Sequence, residues 1–132
     1  FDCGMTGTHV GCEHGICGAC TILFNNEPVR SCLMLAPQID NGEITTIEGI
    51  SENSSYDDLR EAFKKYHALQ CGYCTPGFIT TIVYLLEKKQ FLKEEEIREK
   101  LSGNICRCTG YTGIVKAVEE VFLNRFKKSK ND

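Results

Sequence analysis

The chain has 132 residues, a quarter of them charged, and a formal net charge of -3 from 15 Lys and Arg against 18 Asp and Glu. That length suits one domain or two very small ones, and the even charge balance offers no footing for nucleic acid or an anionic membrane. No apolar run reaches the ~18 residues of a membrane-crossing helix. The nine cysteines stand out: in a cytoplasmic setting thiols stay reduced, and clustered cysteines there serve metals rather than the disulfides of a secreted scaffold.

In chain order, the first feature is "GCEHGICGAC", residues 11–20, a loop that sets Cys12, Cys17 and Cys20 among glycines. "CTILF" and "VRSCLML" then flank "NNEP", whose asparagines supply turn chemistry, so residues 20–35 read as a hairpin. "GEITTIEGI", residues 42–50, reads as a third short strand, and three strands make a thin sheet for an independent domain. After "SENSS" the apolar period becomes helical. Ser55 and Asp58 resemble a capping box ahead of Leu59, Ala62, Phe63 and Tyr66. A second helix is expected from Pro76, with a wide apolar set from Phe78 to Leu86. A third covers 94–102, with Ile97 and Leu101 inward and Gly103-Asn104 as its stop. A fourth runs over 113–126 through Ile114, Val118, Val121 and Phe122, and the tail "KKSKND" reads as solvated and mobile. The expected fold class is α+β, with a strand-bearing unit over 1–52 and a four-helix unit over 53–132.

Each half carries its own cysteines. In the first, Cys12, Cys17, Cys20 and Cys32 are separated by four, two and eleven residues, the plant-type ferredoxin spacing for a 2Fe-2S cluster. Gly11, Gly15 and Gly18 allow the backbone to curl around such a group and leave amides free to face its sulfurs. Zinc usually pairs two short knuckles and fits this three-plus-one loop poorly. A Rieske centre needs two histidines, but four cysteines already complete the site, so His9, His14 and His67 read as ordinary exposed histidines.

The second half repeats itself: "CGYCTPGFITTIVYLL" and "CRCTGYTGIVKAVEEVF" are each a cysteine pair followed by Cys-Thr, a turn and an apolar helix. Two such hairpins bring Cys71, Cys74, Cys106 and Cys108 to one end of the helices as a four-thiolate site. Zinc remains open for "CGYC" alone, although the single-residue gap of "CRC" is unusual for it. Redox-active thiols lack the strand–helix context they need. No nucleotide-binding glycine fingerprint or P-loop is present, so this chain shows no catalytic constellation of its own.

"GTHVGCEHGICGACTI", "LQCGYCTPGF" and "GNICRCTGYTGIVKAV" resemble the iron–sulfur subunit of the molybdenum hydroxylases, the group of xanthine dehydrogenase, aldehyde oxidoreductase and aerobic carbon monoxide dehydrogenase. The resemblance runs to about residue 122. It implies a β-grasp, ferredoxin-like 2Fe-2S domain followed by a four-helix-bundle 2Fe-2S domain, with Cys12, Cys17, Cys20 and Cys32 as ligands in one and Cys71, Cys74, Cys106 and Cys108 in the other. It further implies a large partner subunit with a molybdenum–pterin cofactor and a medium subunit with FAD, with Gln70 and Cys108 beside the pterin. The chain would then relay electrons from molybdenum towards FAD, while the substrate site lies on a partner. A stand-alone two-cluster redox carrier and a structural or sensory metal module are the alternatives. Family members typically begin further upstream, so the first domain is expected to be incomplete at its N-terminal side. Cys3 stands where the family more often has an aliphatic residue and reads as a buried thiol acting as a small hydrophobe.

Overall fold

The computed structural model describes residues 3–127. Its sheet has β1 (Thr21–Phe24) in the middle, antiparallel to β2 (Glu27–Arg30) on one side and to β3 (Ile44–Thr45) on the other. The expected hairpin is present. Asn25 and Asn26 form its two-residue turn with φ of 50° and 64°, the left-handed values that match strand twist and that Asn tolerates. The paired strands end at Arg30, short of the expected residue 35. There a 3-10 turn, Ser31–Leu33, carries Cys32 back towards Cys20, whose carbonyl accepts from both the amide and the hydroxyl of Ser31.

The third strand is a correction. Only Ile44–Thr45 pairs with β1, and the chain then turns into a helix, α1 (Ile47–Glu52). The spacing of Ile47 and Ile50 explains this, because a helix puts both on one face whereas a strand would split them. Ile50 is 3% exposed, and α1 packs against α3.

Four longer helices follow: α2 (Asp57–Lys65), α3 (Thr75–Glu87), α4 (Glu94–Lys100) and α5 (Thr112–Phe122), the last running on into a π-helical turn over Leu123–Lys127. Pro76 sits in the first turn of α3, where its missing N–H costs nothing. The expected Ser55–Asp58 capping box is not formed. Instead the Asn53 side chain accepts from the Ser55 amide, a 3-10 turn intervenes, and the Asp58 carboxylate is taken by Arg125.

The chain is helix-rich with a small sheet. Its core gathers Leu59, Phe78, Ile82, Ile97, Ile114, Val118 and Phe122 from all four helices, and Ile50 of α1 joins the same cluster. Each such side chain contributes roughly 1.5–3 kcal/mol by leaving water. α3 is buried on most sides because it packs on β1 as well as in this core. Cys3 is exposed rather than buried, since residues 3–6 lie on the surface. The tail residues 128–132 lie outside the described residues. Among the described residues no helix is long and apolar enough to cross a membrane.

Candidate metal centres

The loop before β1 brings Cys12 and Cys17 together: the Cys17 amide donates to the Cys12 sulfur at 3.4 Å. That amide, followed by the His14 amide, holds the Cys12 thiol down to about 6. The His14 ring nitrogen Nδ1 meets the Cys12 carbonyl. Cys20, 1% exposed, precedes β1, and Cys32 reaches it from the turn after β2. Burial pushes the Cys32 thiol up, with Cys20 as the next cause through a side-chain hydrogen bond. The first set therefore stands as two pairs, Cys12 with Cys17 and Cys20 with Cys32.

The second set is paired as well. Cys71, in the bend after α2, and Cys108, in the loop before α5, lie 3.5 Å apart at their sulfurs, and both are exposed. Behind them Cys74 is the partner of buried Cys106. Burial first, and then the hydrogen bond with Cys106, pushes Cys74 up to about 12. Burial pushes Cys106 up too, but it is outweighed, and the group lies below its ordinary value. The Thr109 hydroxyl at 3.1 Å and the Thr109 amide at 3.5 Å point at the Cys106 sulfur. Tyr111, at φ 67°, turns the chain into α5 and accepts the Cys106 amide on its hydroxyl.

Among the described residues no group of three or more His, Cys, Asp or Glu is arranged to hold a metal ion. A single zinc needs four ligands converging on one point, whereas each iron of a two-iron, two-sulfide group takes its own pair of thiolates. Pairs facing pairs fit the second demand. The two sets are also neighbours, because a cavity of about 180 Å³ is lined by Cys17 together with Cys71, Cys74, Cys106 and Cys108.

Gln70 is exposed and lies in the bend beyond the end of α2, beside Cys71. His14 and His67 are exposed as expected, but His9 is not an isolated surface residue. Its ring stacks on Tyr73 at 4.5 Å and its Nδ1 faces the Tyr73 carbonyl at 2.7 Å, while the Tyr73 hydroxyl donates to the Val10 carbonyl. Sequence reasoning missed this contact, and it also missed two contacts between the cysteine loops, that of the Asn104 side chain with the Gly18 carbonyl and that of Arg30 with the Gly103 carbonyl. The available signal was position alone, since Asn104 directly precedes the "ICRC" stretch but reads there as a helix stop.

A family model described as a 2Fe-2S binding domain matches residues 46–119. The chain is 52% identical over 120 residues to the caffeine dehydrogenase subunit gamma of Pseudomonas sp. (strain CBB1), covering 89% of this chain and 72% of that protein. It is 49% identical over 117 residues to the nicotinate dehydrogenase small FeS subunit of Eubacterium barkeri, covering 89% and 74%. The chain belongs to the iron–sulfur small subunits of the molybdenum hydroxylases. The crystal structure of quinoline 2-oxidoreductase from Pseudomonas putida 86 has the same fold: the TM-score is 0.86 at 42% identity, over 98% of this iron–sulfur subunit and 80% of that chain. The protein is thus an electron-transfer component of an oxidoreductase complex.

Proposed function

We propose that this subunit carries two 2Fe-2S centres and relays electrons from a molybdenum–pterin cofactor on a large partner subunit towards FAD on a medium one. The observation that carries this reading is the arrangement of eight thiols as two sets of two pairs. Cys12, Cys17, Cys20 and Cys32 would hold one centre in a ferredoxin-like domain over 1–52. Cys71, Cys74, Cys106 and Cys108 would hold the other in a four-helix domain over 53–132. When bound, such a group supplies one-electron redox chemistry at a potential set by its surroundings. The chain's own residues supply those surroundings: the Cys17 amide at Cys12 and the Thr109 hydroxyl and amide at Cys106.

The exposure of Cys71 and Cys108 supports a direction for the relay. Their edge, with exposed Gln70 beside it, is where a partner's cofactor can come closest, and an amide can both donate to and accept from a pterin. The first set then lies further along, nearer FAD. The reading includes a cytoplasmic setting, where unbound thiols stay reduced.

Metal analysis of the purified complex tests this. The expected content is about four irons and about four acid-labile sulfides per copy of the chain, with two distinguishable paramagnetic centres on reduction. Cys17→Ser should abolish or alter one centre and Cys74→Ser the other. Stoichiometric zinc without labile sulfide would refute the reading.

A further inference from the structure

The two cysteine loops meet in a buried polar contact that neither set of thiols needs for itself. Asn104 is 3% exposed. Its side-chain N–H donates to the Gly18 carbonyl at 3.1 Å, and its Oδ1 accepts from the Thr81 hydroxyl of α3 at 3.0 Å. The next amide, that of Ile105, donates to the Cys17 carbonyl at 2.9 Å. Arg30 braces the contact from β2, donating through Nη2 to the Gly103 carbonyl and through Nη1 to the Thr21 hydroxyl. The backbones approach so closely that a Cβ on Gly77 of α3 would strike the Gly18 carbonyl. Gly18 itself has φ +74°, and a Cβ there would strike the Gly103 carbonyl. A buried amide is costly unless hydrogen-bonded, so these bonds favour a single separation of the two loops.

We infer that Asn104 is a positioning residue for electron exchange between the two cysteine sets. It clamps the Cys17–Gly18 loop onto the Gly103–Cys106 loop. In that position the hydrogen bond from Ile105 to the Cys17 carbonyl joins one thiol-bearing residue to the neighbour of another. The inference rests on the proposed two-centre function. The step it serves moves one electron from a reduced centre to an oxidised one; no bond breaks and no proton moves. From Cys106 the path follows the backbone to Ile105, crosses the hydrogen bond to the Cys17 carbonyl and continues along Cys17 to its sulfur. Electronic coupling falls steeply across gaps that bonds do not span, so a loosened clamp weakens it even with both sets filled.

The test uses the purified complex containing the full chain. Asn104→Asp keeps the size and the acceptor for Thr81, but it sets an oxygen against the Gly18 carbonyl. Gly77→Ala wedges the same contact from the side of α3. Iron and labile sulfide are counted first, and the spin–spin splitting between the two reduced centres is then read by electron paramagnetic resonance. The expected result is loss of the splitting with iron content retained, while Asp58→Asn, remote from the clamp, keeps it. If both clamp variants lose iron, Thr81→Val, which removes the hydroxyl that the Asn104 Oδ1 and the Gly77 carbonyl share, decides by the same reading. Unchanged splitting in the clamp variants, or none in the unaltered complex with full iron, overturns the inference. Absence of iron and sulfide from the unaltered complex instead overturns the two-centre function, so the two failures are distinguishable.

Discussion

Thr109 shows how one side chain can tune a sulfur. Its hydroxyl donates to Cys106 at 3.1 Å and its amide reaches the same atom, so negative charge on that sulfur is stabilised from two sides. Thr109→Val keeps the shape and the amide but removes the hydroxyl. A one-electron centre held by Cys106 should then become harder to reduce, by on the order of tens of millivolts for a hydrogen bond worth about 1 kcal/mol. A redox titration followed by paramagnetic resonance should show that shift in one centre and leave the other in place. Equal shifts in both, or none, would mean that the hydroxyl does not act on the bound sulfur.

At the scale of elements, the helices owe their positions to burial rather than to their caps. Among α2 to α5, no N-cap side chain makes a cap hydrogen bond to the helix it opens; at α4 the Glu96 carboxylate instead accepts from the Lys93 backbone amide at 2.8 Å. Phe122 of α5, fully buried, meets Phe126 of the following turn edge-on at 5.5 Å. Phe122→Ala should cost about 3–5 kcal/mol, a large part of the stability of so small a chain. Leu35, which is exposed, should tolerate Ala within about 0.5 kcal/mol. Thermal unfolding of the two variants in the iron-loaded state checks the contrast, and similar losses would refute a core centred on α5.

At the scale of the whole molecule, ionic contacts tie α2 to α5 and the turn beyond it. Lys65 and Tyr66 share the Glu120 carboxylate at one end. At the other, Arg125 grips Asp58 through two nitrogens and holds its carboxyl below the usual range. A lowered folded-state pKa contributes stability that is fully present above the unfolded carboxylate value and is lost as pH falls through the folded one. Asp58→Asn should therefore destabilise near neutral pH, and the deficit should vanish at acid pH. With Asp58 partly exposed to solvent, the deficit should not exceed about 1 kcal/mol. Melting temperatures of parent and variant across pH 2 to about 7 measure it; a deficit that persists at low pH would assign the effect to something other than this ion pair.

What the sequence determined by itself was local in origin. The Asn25-Asn26 turn, Pro76 at the start of α3, and the apolar periods of α2 to α5 act through contacts a few residues long, and each appears where expected. The cysteine spacings are local in the same way, and they mark the two sets of four thiols on which the proposed function rests. Tertiary structure alone decided the rest. "ITTIEGI" carries β-branched residues that suit a strand, yet Ile50 gains more against α3, and the segment becomes α1. Asp58 was free to cap α2 until Arg125, 67 residues away, claimed it. Asn104 resembles an ordinary helix stop in the sequence. Only the approach of Gly18, 86 residues distant, converts it into a contact between the two sets, since a hydrogen bond across such a separation leaves no period for the sequence to display.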